Sequence, residues 1–363
     1  SRAIAARLGL PSAASAPMCL GCHAEPAGPR GPRFQLSDGV GCESCHGPAS
    51  GWIEVHKTGN RAASLAAGMV PLDNPKRRAA LCLDCHFGSD RPGQFVDHRI
   101  MAAGHPRVSF ELDLFSTLQQ HHNEDADYIR RKGRTDDVRM WAVGQAMALD
   151  RALSLFANDR LAQEGMFPEF YFFDCHTCHR RISDDQNFRS TAVANPGRPI
   201  PSGMPPFNDE NMLMLSAAAH AVAPGAAARF DADSRAFHAA IAQNRGAAVQ
   251  AAARLRASAN ALGDAFAARQ FGRAETFAIL DAVSSAALSP RYTDYEGSVQ
   301  AVMATDTLLT GLVNAGHVGA EQAKAIRGQI NIAYAAVKDP NAYRPLEFRA
   351  ALGRATSAIK ALR

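Results

Sequence analysis

The sequence predicts a mainly α-helical chain, with a loop-rich N-terminal region followed by an antiparallel helical bundle. Three observations lead there. Of the 363 residues 47% are apolar but only 7% are aromatic, and alanine supplies much of the apolar share, a balance that favours helices over sheets. Residues 1–110 hold three copies of one short cysteine motif between Gly- and Pro-rich loops. Residues 205–363 contain no cysteine and carry apolar residues at 3–4 spacing between short connections.

Taken in order, the first 110 residues lack long periodic stretches, as expected where short helices and loops wrap large groups that themselves supply apolar core. From Thr135 the pattern changes. Thr135 or Asp136 caps a helix along which Val138, Ala142, Gln145, Leu149, Leu153 and Phe156 follow helical spacing towards the aromatic stretch before Cys175. The segment NPGRPIPSGMPPF, residues 195–207, is dense in Pro and Gly and reads as a boundary. Two domains are expected, residues 1–204 and 205–363. In the second, Phe237, Ile241, Ala248, Ala252, Leu255, Ala259, Leu262 and Phe266 form one stripe, with Asp233 or Ser234 as cap and Gly272 beyond its end. Further stripes run over Val299–Leu312, Ala323–Val337 and Phe348–Ile359. Connections such as SPRY and DPNAYRP make neighbours antiparallel, giving a bundle of four or five helices.

The formal charge of +4 is small for this length and no dense basic run occurs, which argues against a nucleic-acid partner. No apolar run approaches the roughly 20 residues of a membrane span. The start, SRAIAARLGL, has neither an initiator Met nor the apolar core of a signal peptide, so a segment removed before Ser1 is expected.

All eight cysteines fall into four copies of Cys-x-x-Cys-His: Cys19, Cys22 and His23; Cys42, Cys45 and His46; Cys82, Cys85 and His86; Cys175, Cys178 and His179. This is the c-type haem attachment pattern, in which two thiols form thioethers with the porphyrin vinyls and the following His binds iron. Zinc knuckles or disulfides use paired cysteines too, but neither accounts for a His after every second Cys. Four covalent haems with their iron are therefore expected, and a multihaem c-type cytochrome fold for the loop-rich region. Such attachment follows export, which places the protein in the periplasm or outside the cell.

Nine of the 13 histidines remain to supply sixth ligands. A second His makes a low-potential electron carrier, Met raises the potential, and an open position admits substrate. His56, ten residues after the second motif, and His105, on a loop fixed by Gly104 and Pro106, are the leading candidates. His98, beside Asp97, is a weaker one. His121 and His122 would point about 100° apart on a helix, so one at most faces a given haem, and His122 is preferred. His176 lies inside the fourth motif, where intervening residues face away from the iron, and reads as a solvent or edge contact. His220, His238 and His317 read as structural, and Met140, Met147 and Met303 as core.

Around GVGCESCHGPA, residues 39–49, the chain resembles the tetrahaem cytochromes c of nitrifying bacteria, the electron acceptors of hydroxylamine oxidoreductase. CLGCH precedes, CLDCH follows, and His56 lies where that family has a distal ligand. AAGHPRVSFELD is similar to a broader set of related multihaem cytochromes. The resemblance covers roughly residues 15–125. It implies paired, nearly stacked haems and one haem without a sixth ligand, on Cys19 and Cys22. Those cytochromes begin with a further haem motif that this chain lacks, and His56 would there serve the haem of that motif. Either an upstream haem segment has been removed, or Cys175–His179 supplies the fourth haem from elsewhere.

Electron transfer between redox-protein donors and acceptors is the leading functional expectation. A reductase or oxidase of small nitrogen or sulfur compounds such as nitrite, hydroxylamine or nitric oxide is the second, with Arg107 and Tyr128 among residues able to serve an open haem. A subunit of a larger electron-conducting assembly, with the bundle contacting a second copy, is the third.

Overall fold

The computed structural model describes residues 1–25, 31–107, 109–161, 168–179, 194–201, 203–292 and 294–363. They are mainly helical. The sole extended pairing among them is an isolated antiparallel bridge between Phe173 and Phe207. The residues fall into two compact units, 1–110 with 158–171, and 111–157 with 172–363.

The first unit is built from short helices: α1 (Arg2–Arg7), α2 (Pro17–His23), α3 (Cys42–His46), α4 (Arg61–Ala66), α5 (Pro75–His86) and α6 (His98–Ala102). Each of the first three motifs forms the end of one of them. Pro17 and Pro75 start α2 and α5 with a fixed φ where no N–H is needed. Asn74 caps α5 by accepting from Lys76 N and Arg77 N. The helix α6 stops at Ala102 and the chain turns at Gly104, whose φ of +104° suits glycine, as the Gly-His-Pro sequence requires.

The second unit holds α7 (Leu112–Leu118), α8 (Ala126–Lys132), α9 (Asp137–Phe156), α10 (Cys175–Cys178), α11 (Glu210–Val222), α12 (Pro224–Ile241), α13 (Arg245–Ala267), α14 (Arg273–Ala287), α15 (Tyr295–Asn314), α16 (Ala320–Ala336) and α17 (Pro345–Lys360). Asp136 caps α9 by accepting from Arg139 N, as its sequence implies. The helix α9 is buried around most of its circumference, with Trp141, Val143 and Leu153 inaccessible to solvent, so it is the central helix of this unit and packs on α7, α11, α13 and α15. That explains where the units divide. The helix α9 and the fourth motif, grouped by sequence with the first three motifs, pack with the bundle, and the Pro-rich segment before Phe207 lies inside this unit.

Two further expectations are corrected. The stripe from Phe237 to Phe266 is two helices, because α12 ends at Ile241 and Asn244 caps α13 by accepting from Ala247 N. Gly272 begins α14 rather than merely following a helix. The bundle is accordingly larger than four or five helices: α9 and α11–α17 alone make eight among the described residues. No described helix is long and apolar enough to cross a membrane.

Candidate functional site

In the first unit one helical turn separates the two thiols of each motif, and the motif His closes the helix in α2, α3 and α5. Specific tethers draw these turns together. Glu25 accepts from Gly41 N at 2.8 Å and from Ser44 Oγ at 2.6 Å, joining the chain after the first motif to the second. Gln94 Nε2 donates to Gly21 O, inside the first motif, at 2.6 Å, and its Oε1 accepts from Ser89 Oγ at 2.6 Å, joining the first motif to the loop after the third. That loop presses so closely on α2 that a Cβ at Gly21 would lie 2.6 Å from Gly93 O. Cys22 Sγ comes within 3.9 Å of Cys85 O. After the second motif the chain turns at Gly47, with φ +79°, and Val70 N donates to His46 O at 3.0 Å.

The distal candidates of this unit lie beside motif histidines. The ring of His105 is 6.2 Å from that of His23, centre to centre. Its Nδ1 is 2.7 Å from Pro106 O, a contact that fixes the tautomer with Nε2 as the basic nitrogen, as second-sphere carbonyls do for metal-bound histidines. His56 is held the same way, Nδ1 to Ile53 O at 2.6 Å. Trp52 lies 5.6 Å from the His56 ring and 6.3 Å from the His46 ring, and donates from Nε1 to Gly47 O. His98 starts α6, packs 5.3 Å from Phe170, and donates its backbone N–H to Glu169. His86 lies 5.7 Å from Phe110 and burial lowers its pKa, favouring the neutral imidazole, the form able to bind a metal. Arg107 lies 4.5 Å over the Tyr171 ring and donates to Tyr171 O.

No disulfide joins any of the eight cysteines; Cys42, Cys85 and Cys178 are exposed and the others half-buried. A side-chain hydrogen bond with Cys85 and burial raise Cys22; burial raises Cys45 and pushes Cys82 up to about 11. Two sulfurs one turn apart with an imidazole next in sequence form a donor set that fits a covalently held haem.

The fourth motif stands in the second unit on a buried polar base. Asp174 caps α10, its Oδ1 accepting from Thr177 N and Oγ1 at 3.2 Å, and its Oδ2 accepts from Tyr295 N at 2.8 Å. Glu296 accepts from Cys175 N at 3.2 Å. His176, inside the motif, has Nδ1 2.8 Å from Pro340 O and its ring 5.1 Å from that of Tyr343. Behind these, Arg198 donates to Asp209 at 2.7 Å and to Asp294 at 3.0 Å, and His238 Nε2 lies 3.2 Å from Asp209. His238 is thus structural, as expected. His220 pairs with Asp231 on the surface, and His317 is exposed.

His121 and His122 fall in the connection between α7 and α8, not on a helix, and their rings lie 4.2 Å apart; both are exposed. The stretch Gln119–Asp125 has no apolar position to hold a helix against a core, so the 100° separation that a helix would give the pair does not apply. Tyr128 is half-buried on α8. Sequence reasoning missed Glu25, Gln94, Asp174 and Glu296. Only Asp174, an Asx residue immediately before a helical motif, carried a local signal.

A family model described as Cytochrome c554 and c-prime matches residues 4–47, which include the first two motifs. No curated protein and no solved structure matches the chain. The family match supports a c-type cytochrome relationship, and with it covalently bound haem and its iron.

Proposed function

We propose that the chain carries four c-type haems, one on each Cys-x-x-Cys-His motif, and passes electrons between redox-protein partners in the periplasm or outside the cell. The observation that carries this reading is the pairing of His105 with His23. Two imidazoles on opposite sides of one metal ion, at metal–nitrogen bonds of about 2 Å, have ring centres roughly 6 Å apart, and these rings are 6.2 Å apart. With Nδ1 of His105 engaged by Pro106 O, its Nε2 is the nitrogen left for iron. His23 and His105 would then both hold the iron of a haem on Cys19 and Cys22, which suits an electron carrier and departs from the open haem that the resemblance implies for these cysteines.

His56 is the corresponding candidate beside the second motif, ordered by Ile53 O and Trp52. His98 and His122 remain as further ligands. The three motifs of the first unit are tied to one another by Glu25 and Gln94, which favours short distances between their haems. A second copy docking through the bundle stays part of this reading.

Haem counted per chain by the pyridine haemochrome assay, with electron paramagnetic resonance of the oxidised protein, tests it. Four haems are expected, with the iron low-spin, and His105→Ala should convert one haem to high-spin. A wild-type high-spin signal equal to one haem, shifting on addition of nitrite or nitric oxide, would replace the carrier by an enzyme of small nitrogen compounds.

A further inference from the structure

The acidic cluster under the fourth motif has an unusual charge balance. Asp174, Asp209, Asp294 and Glu296 are all buried, and facing them are one guanidinium, Arg198, and one imidazole, His238, also buried. At most two positive charges meet four carboxyl groups. Ionising all four in a low-dielectric interior is costly, so the cluster is poised to hold a proton. Asp294 is its centre. It accepts from Arg198 and from Gly297 N, its backbone carbonyl lies 3.4 Å from Tyr343 OH, and the next residue, Tyr295, is bonded to Asp174. Tyr292 OH, deep in the same cluster, has no hydrogen-bond partner among the described residues. Burial, with Asp209 and Asp174 nearby, raises Asp294 to about 7 against the opposing pull of Arg198.

The cluster is joined directly to the haem-binding turn. Glu296 holds Cys175 N, Asp174 caps the turn, and the Tyr343 ring that packs on His176 also bonds Ser298 at 2.6 Å. We propose that Asp294 takes up a proton when the haem attached through Cys175 and Cys178 is reduced, so that this one haem couples electron transfer to proton transfer. This rests on the reading that the fourth motif carries a haem. In the step, one electron from a protein donor converts ferric to ferrous iron, and one proton from solvent converts the Asp294 carboxylate to the acid. Both leave on reoxidation. The sign follows from electrostatics: the added electron removes a positive charge near the cluster and raises the proton affinity of its carboxylates. The potential is flat at low pH, where both redox states are protonated, and at high pH, where both are ionised, and it falls as pH rises between those limits.

The test is a spectroelectrochemical titration of the haem-loaded full chain over a range of pH, with the haem on the Cys175–His179 peptide verified by mass spectrometry. One haem should show its reduction equilibrium change by up to tenfold per pH unit, 59 mV for one electron, over a window near pH 7, and Asp294→Asn should abolish that slope. The reduced-minus-oxidised infrared spectrum of the unsubstituted protein should show a new protonated carboxyl band, a readout that does not depend on the variant folding. Four haems with no pH slope, a slope unchanged in Asp294→Asn, or no carboxyl band on reduction overturns the coupling alone. A fourth motif without haem overturns the haem reading beneath it as well.

Discussion

Gly21→Ala is the substitution whose sign the structure reverses. Gly21 lies inside α2, and replacing an interior helical glycine by alanine ordinarily stabilises by about 0.5–1 kcal/mol. The corresponding positions of the other motifs are Ser44, Asp84 and Thr177, so a side chain there is compatible with the motif chemistry. At Gly21, however, a Cβ would meet Gly93 O at 2.6 Å, Gly93 C at 2.9 Å and Gln94 Cγ at 3.1 Å. Two of these are backbone atoms, and the backbone has little room to retreat. Gly93 has φ +79° and would itself place a Cβ 2.6 Å from Pro17 O, while the loop is closed by Ser89 N donating to Gln94 O at 2.7 Å. Overpacking of this kind costs about 1–3 kcal/mol. Set against the gain in helix propensity, the net loss is about 1–2 kcal/mol, accompanied by a weakened Gln94–Gly21 hydrogen bond. Urea denaturation of the haem-loaded protein, followed by haem absorbance, reads this as a lower midpoint at an unchanged number of haems per chain. A variant as stable as the original, or more so, would show that the 88–95 loop does not clamp the first motif.

Two further perturbations test the second unit. Arg198→Met leaves Asp209 and Asp294 buried without their cation, which costs about 3–5 kcal/mol at pH 7 and less in acid, where Asp294 is protonated; urea titration followed by far-ultraviolet circular dichroism at pH 7 and pH 5 measures both, and a loss below about 1 kcal/mol would remove Arg198 from the centre of the network. Glu111 is fully buried, accepts from Leu114 N and Thr307 Oγ1, and is raised by burial from 4.5 to about 7. A carboxyl raised on folding contributes stability that is present below its unfolded pKa and lost as pH rises through the folded one, so Glu111 alone should account for a loss of about 3 kcal/mol between pH 4.5 and 7.5; Glu111→Gln should remove that share of the pH dependence, and parallel curves for the two proteins would refute the assignment.

What could be read in the sequence was whatever depends on neighbours along the chain. The Cys-x-x-Cys-His motifs are such a case, since their chemistry lies within five residues. So are the Asp136 cap of α9 and the stop at Gly104–Pro106. What could not be read depends on distant partners. The requirement for glycine at position 21 comes from Gly93, and the break between α12 and α13 comes from Asn244 capping a new helix within what reads as one continuous apolar stripe. Which way His121 and His122 point could not be read either, because a His pair carries no periodicity of its own.

The buried acids illustrate the same limit most sharply, and they separate the fourth motif from the others. Nothing in the sequence marks Asp174, Asp209, Asp294 and Glu296 as buried, since charged residues rarely are, and only folding brings them to one place. In the first unit the tethers on the motifs are an amide, Gln94, and one half-buried carboxylate, Glu25. The fourth motif instead rests directly on two buried carboxyl groups, with two more behind them. Negative charge in a poorly solvated place favours the ferric state of a nearby iron and so lowers its potential. The haem of the fourth motif should therefore titrate at the low end of the four, and the measurement that detects its pH slope also fixes its place in that order. On the proposed coupling, reduction of that haem is eased where Asp294 can take up a proton, so its potential should rise on acidification through that range while those of the other three stay level.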